Sequence, residues 1–200
     1  MAFPGTGKIW MNGSLVDWAD AKVHIASHVI HYGSGVFEGA RCYDTAKGPA
    51  CFRLDAHMRR LFDSARIYRM DVPYDQQTLT DAVVEVIEAN GFRACYIRPL
   101  IYRGYDSLGV HGNLCPVDVA IIVWEWPSYY SKESVEVGID VKISTWARNA
   151  PNTTPAIPVA AHRPSSMKMI SPAYMLPYSR SEWDSGFDTY STRLNMRLNG

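Results

Sequence analysis

His28-Val-Ile-His-Tyr-Gly-Ser-Gly-Val-Phe-Glu-Gly-Ala-Arg-Cys-Tyr43 sets three glycines, three tyrosine or phenylalanine rings and one arginine where a loop runs into a strand. Gly33, Gly35 and Gly39 permit close approach of the backbone to a ligand, and Tyr32 and Phe37 can wall an apolar pocket. The same composition also suits a turn flanked by core aromatics. Arg41 fits that second reading less well, because a cation on a strand leading out of such a loop needs water or an anion.

On the N-terminal side, residues 8–18 read as two short strands joined at Asn12-Gly13, a dipeptide that supplies the positive φ angles of a tight hairpin turn. On the C-terminal side, residues 36–43 and 50–54 are apolar or aromatic runs separated by Lys47-Gly48-Pro49, which predicts a second hairpin. Asp55 is expected to cap a helix, since Met58, Leu61, Phe62, Ala65 and Tyr68 follow at three- and four-residue steps. Residues 80–90 repeat that period with Ala82, Val83, Val86 and Ile87. Residues 94–102, 117–124 and 135–144 are rich in β-branched and aromatic side chains and read as strands. Strands, helices and strands in that order predict one α+β domain over residues 1–130. Residues 131–155 then form a linker and the first strand of a second domain. Residues 156–200, where prolines recur too closely for regular helices, form its truncated or divergent start.

Of the 200 residues, 47% are hydrophobic, enough to build a core without disulfides. Twenty basic side chains balance twenty acidic ones, so no net charge steers the chain toward nucleic acid or an anionic membrane; a small neutral or zwitterionic partner fits better. Cys42, Cys51, Cys95 and Cys115 show no metal-ligand spacing and are expected as reduced thiols. No apolar run is long enough to span a bilayer. The expected location is the cytoplasm, or an organellar matrix if a transit peptide has been removed.

Tyr96-Ile-Arg-Pro99 places Tyr96 and Arg98 on one face of a strand, because side chains two apart point the same way. An inward arginine there needs an anion, either a substrate carboxylate held by its planar fork or a structural aspartate or glutamate. Of Arg59 and Arg60 on the first helix, one is expected in water, and the other can reach back toward the sheet to hold a phosphate. His24, His28 and His31 lack a neighbouring carboxylate or cysteine at ligand spacing, so no metal site is expected. Residues 104–110 form a loop of the kind that closes over a site.

Six segments occur in order: Ile9-Trp-Met-Asn-Gly13, His31-Tyr-Gly-x-x-Val-Phe-Glu-Gly-x-Arg-x-Tyr43, Phe52-Arg53, His57-Met-x-Arg-Leu61, Tyr96-Ile-Arg-Pro-Leu100 and Trp146-x-Arg-x-x-Pro-Asn152. Together they make residues 8–155 resemble the N-terminal part of the branched-chain amino-acid aminotransferases, class IV enzymes of pyridoxal-phosphate fold type IV. The resemblance implies the small N-terminal domain of the D-amino-acid aminotransferase-like fold and the beginning of a second domain. It also implies pyridoxal 5'-phosphate as cofactor, and exchange of the amino group of leucine, isoleucine or valine with 2-oxoglutarate in a homodimer or larger assembly. By the same resemblance Arg60 binds the cofactor phosphate, Tyr96 and Arg98 receive the substrate carboxylate, and Phe37, Arg41 and Tyr129 shape the side-chain pocket. Tyr32 and the loop around Val110 are offered across the subunit interface. The family's lysine, which joins the cofactor and moves the proton, falls at Val159, and valine cannot do either. Lys168 is the one lysine beyond Lys142, and the resemblance sets it on the wrong side of Ser165-Ser166. The resemblance therefore implies a chain that is catalytically inactive by itself, a truncated or alternative product. The other reading is a non-catalytic unit of the same fold that pairs with other subunits.

Overall fold

A computed structural model of the chain describes residues 5–126, 137–138 and 191–193. The first hairpin is β1 (Lys8–Met11) and β2 (Ser14–Asp17), paired Lys8↔Asp17 through Met11↔Ser14. Its turn is Asn12-Gly13, with φ of 48° and 96°, the mirror-image geometry that matches strand twist. A short helix α1 (His28–Tyr32) follows, then β3 (Gly35–Phe37), β4 (Ala40–Thr45) and β5 (Gly48–Phe52). Helices α2 (Leu54–Ile67) and α3 (Gln76–Ala89) lead into the long strands β6 (Cys95–Arg103) and β7 (Val117–Trp124). Ser191–Arg193 adds a short β8 on the far edge. All described pairings are antiparallel, in the order β2-β1-β7-β6-β4-β5-β8, with β3 also on β6. The α+β expectation holds.

β3 and β4 are one run in a single register on β6. Phe37 lies opposite Leu100 and Ala40 opposite Ile97, so nothing is inserted between them. The break falls at Glu38, whose N–H donates to the Pro99 carbonyl at 3.0 Å. Proline has no N–H to return the bond, so a rung of the ladder is lost in the middle of the sheet. That gap lies beside the site described below.

Helices α2 and α3 cover one face of the sheet. Leu54, Met58, Leu61 and Ala65 are fully buried along α2, and Leu79, Val83, Val86 and Ile87 along α3, each at helical spacing. They meet Val36, Ile97, Ile101, Val119 and Ile121 from the strands. Two boundaries differ from expectation. Helix α2 starts at Leu54, and its cap is Arg53 in the left-handed region (φ 50°), not Asp55. Burial of Leu54 sets that start, while Asp55 in the first turn still suits the helix N-terminus. Helix α3 begins at Gln76, four residues before the expected Thr80, because the Asp75 carboxylate caps it by accepting from the Thr78 N–H at 2.7 Å. The short α1, not expected from the sequence, is five residues long and is tied to later chain by the His28 N–H on the Gly104 carbonyl. The boundary near residue 130 lies outside the described residues, and so does the strand expected over residues 135–144 apart from Val137 and Gly138, neither of which is in a strand. No described helix is long and apolar enough to cross a membrane.

Candidate active site

Strand alternation divides β6 in two. Cys95, Ile97 and Ile101 turn to the helices, whereas Tyr96, Arg98 and Leu100 turn to the opposite face. Cross-strand pairing brings Arg41 beside Tyr96, Phe37 beside Leu100, and Trp124 of β7 beside Tyr96. Phe37, Arg41, Tyr96 and Arg98, four of the side chains expected in the site, therefore share one surface. Arg98 is at its centre. Its guanidinium carbon stands 4.6 Å from the Phe37 ring centroid, 5.2 Å from Tyr96 and 5.7 Å from Trp124. Its Nη2 donates to the Tyr96 hydroxyl at 3.0 Å. Its Nε is buried with no hydrogen-bond partner, and among the described residues no carboxylate pairs with it. A buried unmet donor on a charged fork costs about 1–3 kcal/mol or more. The structural-pair alternative for Arg98 is thus not what the described residues contain.

Gly39 lies opposite Arg98 in the continuous register, and a Cβ built there would be far closer to the Tyr96 hydroxyl than van der Waals contact allows. Gly39→Ala is accordingly expected to push the Tyr96 ring away and break its bond with Arg98. Unfolding stability should fall little, because the clash is with the far end of a side chain, while binding of a carboxylate ligand weakens. Wild-type affinity in Gly39→Ala would show that Tyr96 does not need its observed position.

Arg60 does reach back to the sheet, and what it meets there is Glu38. Its Nε and Nη2 both donate to the two carboxylate oxygens, the latter at 2.7 Å. His57 Nδ1 lies 3.0 Å from the same carboxylate, which can only accept, so the ring nitrogen donates. Glu38 is 1% exposed and points to the helix face, one residue from Phe37 and Gly39 but on the other side of the sheet. Burial by itself would raise its pKa; the hydrogen bonds and charges of His57 and Arg60 outweigh that and hold it below the ordinary carboxylate range. Arg60 remains more than half exposed, with Nη1 unbonded among the described residues. Arg59 is exposed. Glu38 and His57 were not picked out as functional by sequence reasoning. The signal that could have found them is an acid in an otherwise apolar strand run, Val36-Phe-Glu-Gly39, followed by a helix carrying His57 and Arg60.

Tyr32 and Val110 sit away from Arg98, at 46% and 77% exposure. The Tyr32 hydroxyl donates to the Leu108 carbonyl at 3.2 Å, and its ring stacks on His28 at 4.5 Å. His28 is buried and holds the 107–110 loop through Nε2, which donates to the Gly109 carbonyl at 3.1 Å. Its Nδ1 is left to accept from the Ser34 hydroxyl at 2.6 Å. That histidine is therefore a structural tether, and among the described residues no histidine, cysteine or acid cluster is arranged to hold a metal. A separate cleft lined by Arg69, Asp71, Arg103 and Asn113 contains none of the expected site residues. Arg103 in its wall already donates to the carbonyls of Gly112 (2.7 Å) and Arg69 (2.9 Å). Tyr129, Val159 and Lys168 lie outside the described residues.

Residues 35–169 match the family model described as Amino-transferase class IV. The branched-chain-amino-acid aminotransferase of Escherichia coli (strain K12) is 49% identical over 148 residues, which is 74% of this chain and 48% of that protein. A crystal structure of the Escherichia coli branched-chain amino acid aminotransferase superposes with a TM-score of 0.74 at 46% identity, covering 78% of this chain and 52% of that one. The branched-chain aminotransferase of the thermophilic archaeon Thermoproteus uzoniensis, solved with norvaline, gives a TM-score of 0.60 at 41% identity, with coverage of 62% and 42%. The chain thus spans about half the length of the relatives it matches.

Proposed function

The chain belongs to the class IV aminotransferases, and on that premise we propose that its sheet carries the substrate half of a branched-chain amino-acid transaminase site. The reaction is exchange of an amino group between leucine, isoleucine or valine and 2-oxoglutarate, giving branched 2-oxo acids and glutamate. The observation that carries this reading is Arg98, a cation walled by Phe37, Tyr96 and Trp124 with a buried Nε that lacks an acceptor. A carboxylate supplies that acceptor, and aromatic walls suit a short branched aliphatic chain beside it.

In this reading Arg98 and Tyr96 bind and orient the carboxylate, and Phe37, Arg41 and Tyr129 shape the pocket around the side chain. Tyr32 and Val110 serve a second subunit's site in a homodimer or larger assembly. Ile30, Tyr32, Leu108 and Val110 are exposed, and His28 stacks on Tyr32 and holds the Gly109 carbonyl of the 107–110 loop; this favours such pairing, because exposed apolar clusters are commonly covered by a partner. Pyridoxal 5'-phosphate, when bound, supplies the electron sink that lets the Cα proton leave. Arg60 is the residue proposed to hold its phosphate. Glu38 fixes two of its nitrogens and leaves Nη1 to donate, so the residues present fit an anion at that point. The proposed place is in amino-acid metabolism, in the cytoplasm or an organellar matrix.

Val159 stands where the family's lysine is expected, so this polypeptide alone is proposed to hold substrate without turning it over. The second reading, a non-catalytic unit that pairs with other subunits, rests on the same exposed cluster. Incubation with pyridoxal 5'-phosphate followed by borohydride separates these possibilities. Colourless protein without covalent cofactor is expected from this chain, together with saturable binding of a branched 2-oxo acid. Cofactor fixed to Lys168, with measurable transamination, would overturn the assignment of Val159. Absence of 2-oxo acid binding would leave the pairing unit as the better account.

A further inference from the structure

Three of the four cysteines lie on one rung of the sheet. Cys42 of β4 is directly opposite Cys51 of β5 on one side and Cys95 of β6 on the other. All three face the helices and are buried, at 2%, 0% and 4% exposure, and all are free thiols. Nothing in the proposed transamination uses them. We propose that Cys42 and Cys51 form a thiol–disulfide site, a cross-strand pair that an electrophilic two-electron oxidant closes, with Cys95 as the hydrogen-bonding neighbour rather than the partner.

The register selects the pair. Glu38 donates its N–H to Pro99, and Cys42↔Cys95 continues that same register. Even-numbered residues of this run therefore turn their peptide groups to β6, which leaves Cys42↔Cys51 as a non-hydrogen-bonded pair across β4 and β5. In such pairs the Cα atoms are about 4.5 Å apart and the side chains are closest, within the roughly 4.4–6.8 Å range that a disulfide spans. The hydrogen-bonded pair Cys42↔Cys95 holds its Cα atoms about 5.5 Å apart, with side chains farther from each other. The thiol chemistry agrees with the geometry. Hydrogen bonds from Cys51 and then Cys95 draw Cys42 toward thiolate against the effect of burial, while Cys51 and Cys95 are driven the other way, Cys42 being the first cause for each.

With an azodicarboxamide such as diamide, the Cys42 thiolate adds to one nitrogen of the N=N bond and the other nitrogen takes a proton. Cys51 then attacks the Cys42 sulfur and expels the hydrazine, which takes the second proton. Two thiols lose two electrons and two protons, and the azo compound gains both. Burial sets the rate, because the reagent enters only when the β4–β5 pair opens locally.

The test uses the whole 200-residue chain, first unaltered and then as two single variants. The chain is treated with diamide for longer than the β4–β5 amides take to exchange with deuterated water, then alkylated in denaturant and mapped by peptide mass. A Cys42–Cys51 link lighter by two hydrogens is expected, with Cys95 and Cys115 alkylated. Cys95→Ala should keep the link, and Cys51→Ala should lose it. Four alkylated cysteines after that exposure, or a Cys42–Cys95 link in the unaltered chain, would overturn the proposal. Neither result bears on the carboxylate site proposed around Arg98, which is on the opposite face of the sheet.

Discussion

Arg98→Ala is expected to weaken binding of a branched 2-oxo acid such as 2-oxo-4-methylpentanoate roughly 10- to 100-fold. Among the described residues the fork meets the Tyr96 hydroxyl and the rings of Phe37, Tyr96 and Trp124, and its Nε is buried without a partner. A charge-assisted bond to a carboxylate is worth about 1.5–3 kcal/mol, and each 1.4 kcal/mol is tenfold in affinity. Arg98→Lys keeps the charge but loses the planar two-point grip, so it should fall between wild type and alanine. In a catalytically complete relative carrying the same substitution, the loss is expected in KM for the amino acid. The alanine variant should unfold no more easily than wild type, because it removes an unmet buried donor. Unchanged affinity would take Arg98 out of the site.

Glu38→Gln is expected to lower unfolding stability at neutral pH by about 1.5–3 kcal/mol, the usual worth of hydrogen bonds to a buried charged group. Glu38 is 1% exposed, accepts from Arg60 and His57, and has its pKa lowered by them against the effect of burial. A carboxylate whose folded pKa is depressed contributes stability that is fully present above its unfolded pKa. That contribution is lost as pH falls through the folded value. The gap between wild type and Glu38→Gln should therefore be widest near neutrality and close at acid pH, below the ordinary carboxylate range. Urea unfolding across that range checks it, and a gap that widens on acidification would contradict the sign. The same variant frees Arg60 from its two-point hold, so weaker binding of inorganic phosphate or pyridoxal 5'-phosphate should accompany it.

Much of this arrangement was legible in the sequence where the cause is local. Asn12-Gly13 announces its hairpin because only a few residues tolerate φ of 48° and 96° in succession. Period-two alternation set Tyr96 and Arg98 on one face of β6 before any partner strand was known. The helix starts were less legible. At α2 the burial of Leu54 overrides the capping preference of Asp55, and at α3 the polar first turn hides a helix that Asp75 caps. Contacts distant in sequence could not be read at all. Glu38 and Arg60 are 22 residues apart, and the motif containing each says nothing of their meeting. The cysteine rung depends on pairing registers that join residues 42, 51 and 95, which composition cannot supply. Tyr129, Val159 and Lys168 rest on the resemblance alone.

The most direct test of the substrate face is the Arg98 Nε–H itself, followed by ¹⁵N–¹H NMR as the 200-residue chain is titrated with 2-oxo-4-methylpentanoate. A saturable downfield shift of that proton is predicted, marking a new carboxylate acceptor, with the same titration curve reported by Trp124 beside it. An Arg98 Nε–H that stays in place up to saturation of any other response, or a chain that does not respond at all, would contradict the assignment of this face as a carboxylate site.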